Sequence, residues 1–196
     1  MLIGFRNNFK VDVMEAKLEK LIIYGSQYGT SKRYAEKFSE ITEITVMDYQ
    51  DVKDISHVDL IIFFGGLYAG GVKGLDKTLK KLSPSTNLII ATVGLADVND
   101  QNNTGSIKKS LEKQVPRDVL DRSQIFHLRG GIDYSKLSIV HKTMMTLLYK
   151  KVSKLPEEER SSEVKELIKT FNSHVDFVDF NALEPIIQAS ISYDNK

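Results

Sequence analysis

The chain contains no cysteine among its 196 residues, which excludes disulfides, thiolate catalysis, cysteine-ligated zinc and iron–sulfur clusters together. Any redox chemistry here requires a bound organic cofactor. An excess of charge is lacking too: 27 Lys and Arg stand against 26 Asp and Glu, a formal net charge of +1. That balance argues against nucleic acid as a partner and against an acidic carrier steered to basic partners. No apolar run approaches the roughly 18 residues needed to span a bilayer, and the opening "MLIGFRNNFK" loses its apolar character at Arg6 and Asn7, too early for a signal peptide. A cytoplasmic chain is expected. With 41% hydrophobic residues, the length suits one domain of the usual size, about 100–200 residues.

Short apolar runs fall at 21–24 (LIIY), 43–48 (EITVMD), 59–64 (DLIIFF), 87–93 (NLIIATV) and 124–128 (QIFHL). Several are almost continuously apolar, as strands covered on both faces are. Between them lie helical spacings: Tyr34, Phe38 and Ile41, then Leu75, Leu79 and Leu82, then Ile107, Leu111 and Val115. Alternation of buried strands with helices predicts an α/β fold, a doubly wound five-stranded parallel sheet with right-handed crossovers. Past Leu128 the pattern becomes mostly helical from Tyr134 to about Phe171, a C-terminal helical insertion. A last helix is expected to open at Asn181, with Glu184 at capping-box spacing and Pro185 close behind. The predicted organisation is an extension over 1–20 and one domain over 21–196, with the insertion at about 134–171.

Ligands of such sheets sit beyond the carboxyl ends of the strands. The first such turn, "GSQYGTS" at 25–31, offers successive backbone N–H groups, a helix start and the hydroxyls of Ser26, Thr30 and Ser31. No G-x-x-x-x-G-K-[ST] follows the strand, which removes nucleoside triphosphates, and no G-x-G-x-x-G, which removes the dinucleotide fingerprint. A phosphoacceptor domain would need acidic residues where Tyr24–Gly25 and Phe64–Gly65 stand. A single phosphomonoester held by amides and hydroxyls, or simply a well-capped helix start, remains.

Ile22, Ile23, Tyr24, Ser26, Gly29 and Ala35 stand at the spacing of the flavodoxin signature, and the chain resembles that FMN-binding family. Ser31 replaces the usual threonine and Phe38 an aliphatic residue; the hydroxyl and the apolar helix face survive both changes. The resemblance implies a flavodoxin-like fold, FMN as cofactor, and Ser26, Gln27, Tyr28, Gly29, Thr30 and Ser31 around its phosphate. It also implies two flavin loops: "FGGLYAGGVKG", with Gly66, Leu67 and Tyr68, and "TVGLADVND", where backbone groups of Val93, Gly94, Leu95 and Ala96 face the pyrimidine edge. Turn chemistry alone also accounts for the glycines, and a surface position for Tyr68.

Within the family, "RGGIDYSKLSIVHKTMMTLLYKKVSK" at 129–154 resembles the branch containing menaquinone-dependent protoporphyrinogen oxidase, through Gly130, Gly131 and Tyr134. This implies an FMN-dependent oxidoreductase acting between a small organic substrate and a quinone; the alternative is a flavodoxin-type electron carrier serving protein partners. From Tyr134 to Leu155 there are lysines and no carboxylate. Leu137, Val140, His141, Met144, Leu148, Val152 and Leu155 share one helical stripe, with Lys136, Lys142, Lys150 and Lys154 on or beside the other face. Such a stripe packs first on the protein's own core; the competing reading is peripheral membrane contact through the Lys-rich helix at 135–155. Whether the chain forms a homo-oligomer is open. No catalytic side chain and no metal ligand set is expected: His57, His127, His141 and His174 are scattered, and Asp97 and Asp100 read as turn formers.

Overall fold

The computed structural model describes residues 18–68 and 70–194. Most of the expected N-terminal extension, residues 1–17, lies outside the described residues. Five strands pair in parallel in the order β2-β1-β3-β5-β6: β1 (Lys20–Gly25), β2 (Val46–Asp48), β3 (Leu60–Tyr68), β5 (Asn87–Gly94) and β6 (Gln124–Arg129). The register runs straight across the centre, Ile22 opposite Ile62 and Ile62 opposite Ile89. This is the doubly wound five-stranded sheet expected from the alternation of elements. One strand is additional: β4 (Gly71–Val72) folds back antiparallel on the end of β3.

Because strand side chains alternate between faces, the continuous apolar runs supply two cores. Ile23, Ile61, Phe63, Leu88 and Ile90 meet Ile107 and Leu111 on one face. Those two residues come from α3 (Gln101–Gln114), which shares its face with the short α2 (Leu75–Leu79) and α4 (Arg117–Asp121). On the opposite face Ile22, Ile62, Phe64 and Ile89 meet Tyr34 and Phe38 of α1 (Thr30–Thr42) and Ile186 of α7 (Glu184–Ser192). Each fully buried side chain of this size contributes about 1.5–3 kcal/mol before the entropy of ordering is subtracted.

The last helix starts differently from its sequence signal. Asp179, not Asn181, supplies the cap: its Oδ1 accepts from the Asn181 N–H at 2.9 Å and opens a 3-10 turn over Phe180–Leu183 that runs into α7. The helical excursion after β6 is closed at its base by two further strands. β7 (Gly131–Asp133) pairs antiparallel with β8 (His174–Asp176). Between them lie a 3-10 turn at Tyr134–Lys136, α5 (Ile139–Val152) and α6 (Ser162–Lys169). Ser138 and Ser161 cap the two helices through their hydroxyls. A third, smaller cluster of Ile132, Tyr134 and Met145, with Tyr28 and Leu95 against it, joins the excursion to the sheet edge.

Two glycines separate crowding from flexibility. A Cβ on Gly25 would fall 1.8 Å from the Lys73 carbonyl oxygen, whereas one on Gly105, inside α3, meets nothing within 4 Å. Chemical denaturation of Gly25→Ala is expected to show a loss of at least about 1–3 kcal/mol, the usual cost of overpacking, since the obstacle is backbone. Gly105→Ala is expected to gain about 0.5–1 kcal/mol.

Candidate functional site

The turn after β1 is organised from within. Ser26 Oγ accepts the Gly29 N–H at 3.0 Å, and Gly29 adopts φ 89°, a conformation that costs other residues about 1 kcal/mol or more. Gly29 is the N-cap of α1, whose first turn has no side-chain cap and no acidic residue. The helix therefore presents its free amides and the positive end of its dipole to the turn. The hairpin of β3 and β4 carries Lys73 back to the same place, where its ammonium donates to Gln27 Oε1 and lies 5.6 Å from the Tyr68 ring centroid. Sequence reasoning expected an anion site without a cation beside it. Lys73 supplies one, and no motif spacing marks it, because the hairpin alone brings it there.

The other two loops are equally constrained. The glycine-rich stretch after β3 is a tight hairpin, Leu67 opposite Val72 and Tyr68 opposite Gly71, not an open loop. Tyr68 packs edge-on against Tyr28, ring centres 6.4 Å apart, and its hydroxyl meets Met144 Sδ at 3.3 Å. After β5, the N–H groups of Leu95 and Ala96 donate to the two oxygens of Glu163, at 3.2 and 3.1 Å. The Leu95 carbonyl accepts from the Arg129 guanidinium at 3.0 and 3.2 Å, and that guanidinium stacks 3.9 Å from the Phe177 ring centre. The backbone groups expected to face a flavin's pyrimidine edge at 95 and 96 are thus already engaged by side chains.

Together these loops and the excursion enclose a cavity of about 610 Å³, within the range of about 300–1,000 Å³ usual for small-molecule sites. Of the thirteen residues expected at the site, Ser26, Gln27, Tyr28, Thr30, Ser31, Gly66, Leu67, Tyr68, Val93, Gly94 and Leu95 line it. Gly29 shapes the turn without forming wall, and Ala96 is buried behind it at 3% exposure. The roof comes from α5 and α6: Met144, Met145, Leu148, Val152, Val164 and Leu167. Met145, its most buried member on α5, sits one position off the stripe expected from sequence.

That stripe needs correction. Val152 is buried, but Val140 is 74% exposed and Met144 and Leu148 also face out in part, beside Ile139 and Leu147 at 84% and 63%. The helix is turned so that Met145 and Val152 face inward and a second apolar face looks outward. Sequence periodicity could not choose between them, since apolar residues occur nearly all round α5.

Charge in the cavity is restrained. Burial first, then the neighbouring Tyr68 and Tyr134, pushes the Tyr28 phenol up to about 12, so it stays neutral at physiological pH. His141 ties the roof to the first turn, its Nε2 lying 2.6 Å from Gln27 Nε2. His127 is held lower than usual by burial and bonds Thr92 Oγ1 at 2.7 Å, outside the cavity wall. The Asp100 carboxyl caps α3 and is held below its usual range, first by the Ser162 hydroxyl and then by the Asn102 amide. Among the described residues no cluster of His, Cys, Asp or Glu is arranged to hold a metal ion.

A doubly wound sheet with an anion-binding turn at the end of its first strand and an apolar chamber beside it defines a mononucleotide-cofactor protein. The chain belongs to the flavodoxin domain family, which it matches over residues 21–159. Among solved structures it is similar to an azoreductase from Bacillus anthracis, at 7% identity, 89% of this chain and 99% of the other, TM-score 0.46. A flavoprotein from Lactobacillus acidophilus in complex with FMN gives 15%, 58%, 93% and 0.41 in the same order. A flavodoxin mutant from Pseudomonas aeruginosa gives 15%, 68%, 96% and 0.36. No curated protein matches.

FMN is the cofactor that goes with this family, and the cavity suits it in this structure. The helix start is uncapped, Lys73 stands beside the turn, and glycine lets the loops of the cavity wall press closely on one another. A Cβ on Gly94 would lie 2.7 Å from Leu67 Cδ1, and one on Gly66 3.1 Å from Ser31 Oγ. Because the Lys73 ammonium stands beside the first turn, Lys73→Met is expected to weaken FMN binding about tenfold, or about 1.4 kcal/mol, in a fluorescence titration. Phosphate-free riboflavin is expected to bind it as it binds the unaltered protein.

Proposed function

We propose that this protein is an FMN-dependent oxidoreductase that passes electrons between an apolar organic substrate and a quinone-type acceptor. The reading follows the branch it resembles, that of menaquinone-dependent protoporphyrinogen oxidase. One observation carries it: the excursion after β6 roofs the flavin loops with methionine, leucine and valine side chains, making an apolar chamber at the sheet edge. A carrier that serves protein partners needs an exposed cofactor edge and has no use for such a chamber. FMN, when bound, supplies the electron chemistry itself.

The chain's own residues bind, orient and exclude water. Ser26, Thr30, Ser31 and the amides at the start of α1 would hold the phosphate, with Lys73 offsetting its charge. Gly66, Leu67, Tyr68 and Gly94 would flank the ring. Tyr28 and Tyr68 brace the roof through Met145 and Met144, at 3.4 and 3.3 Å. Among the described residues the wall carries one carboxylate, Glu163, and its oxygens are engaged by the Leu95 and Ala96 N–H groups, so protons taken up in turnover would come from solvent reaching the chamber.

The outward face of α5 supports a second element of the reading, contact with an anionic membrane surface. Ile139, Val140 and Leu147 are exposed together, Lys142, Lys150 and Lys151 are exposed on the same helix, and Lys154 is exposed just past its end. Each lysine near anionic headgroups contributes on the order of 1 kcal/mol. Among the described residues no helix is long and apolar enough to cross a membrane, so the contact would be peripheral. A lipid-soluble quinone is reached naturally from that position.

Purified protein is expected to show a bound-flavin spectrum and, once reduced without oxygen, to be reoxidised rapidly by menadione. A protein that binds FMN but exchanges electrons only with a reductase protein would be a carrier instead. Co-sedimentation with vesicles containing phosphatidylserine is expected and should vanish on pure phosphatidylcholine. The triple change Ile139→Ser, Val140→Ser and Leu147→Ser should abolish it while leaving FMN affinity intact.

A further inference from the structure

We infer that Glu163 is a resident competitor for the ring edge of the cofactor: its carboxylate fills the amide pair of Leu95 and Ala96 until FMN displaces it. The inference rests on the FMN reading above. Both oxygens of Glu163 are used, one on each N–H, at 3.2 and 3.1 Å. The carboxylate lies over Gly94, with both oxygens 3.4 Å from where a Cβ would stand, and both Glu163 and Leu95 form cavity wall. It therefore occupies the chamber side of the loop, not its back.

Two adjacent amide N–H groups can donate to a carboxylate or to a ring carbonyl oxygen, but the same N–H groups cannot serve both fully at once. Glu163 is easily released. Among the described residues its carboxylate forms no ion pair, and α6, which carries it, has no fully buried residue. α6 is otherwise tied by Ser162 to Asp100, by Glu166 to Arg129 at 3.7 Å, and by the half-buried Leu167 against the small cluster of Ile132, Tyr134 and Met145. Side-chain rotation or a small shift of α6 frees the amides without disturbing either core.

A strut would behave differently from a competitor. If Glu163 merely holds the loop in a cofactor-ready shape, removing it weakens the empty protein and weakens flavin binding as well. A competitor stabilises the empty protein and opposes the ligand, so the two effects have opposite signs.

Glu163→Ala and Glu163→Gln are compared with the unaltered chain, measuring the melting temperature of flavin-free protein and the affinities for FMN and riboflavin by fluorescence quenching. Both variants are expected to melt lower when empty. Glu163→Ala is expected to bind both flavins more tightly, by the same factor of about five or more, since one engaged acceptor is removed from the ring end and the phosphate end is untouched. Glu163→Gln, which keeps one carbonyl acceptor, should fall between. Unchanged or weaker flavin binding in Glu163→Ala overturns the competitor role, as does tightening confined to FMN. Failure of the unaltered chain and both variants to bind any flavin removes the cofactor reading and this inference with it.

Discussion

Parallel pairing of β1, β3 and β5 is the constraint on which the site depends. Hydrogen bonding locks Tyr24 beside Phe64 and Phe64 beside Ala91, so the three strands end at one edge and their following turns converge. Nothing in any one turn would make a binding site. Gly25, pressed against the Lys73 carbonyl, shows how closely the neighbouring segments are drawn together there. The core side chains on both faces hold that register, because a one-residue slip would exchange the two faces of every strand.

Around this edge the chain manages charge by small means. The first turn combines helix amides, hydroxyls and one ammonium, and the loop after β5 combines backbone donors with a carboxylate from the excursion. Both are reached by residues far apart in sequence, Lys73 to Gln27 and Glu163 to Leu95. A balanced net charge at the level of the whole molecule therefore conceals local placement: the Lys73 ammonium at the first turn, and at the third loop the Glu163 carboxylate with the Arg129 guanidinium beside it.

The sheet was largely legible because buried parallel strands are apolar without interruption, as in DLIIFF and NLIIATV, and because Gly and Ser punctuate their ends. The first turn was legible for a similar local reason: Ser26, Gly29 and Thr30 act through backbone geometry that short spacing records. Contacts made across the fold were not legible. Lys73 depends on a hairpin inside a run of glycines that reads equally as loop, and Glu163 lies in a charged helix start of ordinary appearance. On α5, Met145 and Met144 are neighbours, and only tertiary packing decides which turns inward. Asn181 carried a plausible cap signal, but Asp179 sits two residues earlier and its carboxylate accepts the N–H of Asn181 itself, which opens the turn ahead of the expected start.

The roof is attached in a different way from the layers beneath it. Only Met145 and Val152 of α5 are buried, α6 buries none, and they are tied to the rest by the small cluster around Met145 and by side-chain bridges such as His141 to Gln27. Amide exchange with deuterium would accordingly begin in the roof and reach the central strands last, in two separate cooperative units. A large ligand can thus enter by loosening the upper unit alone, while the platform that orients it keeps its full rigidity.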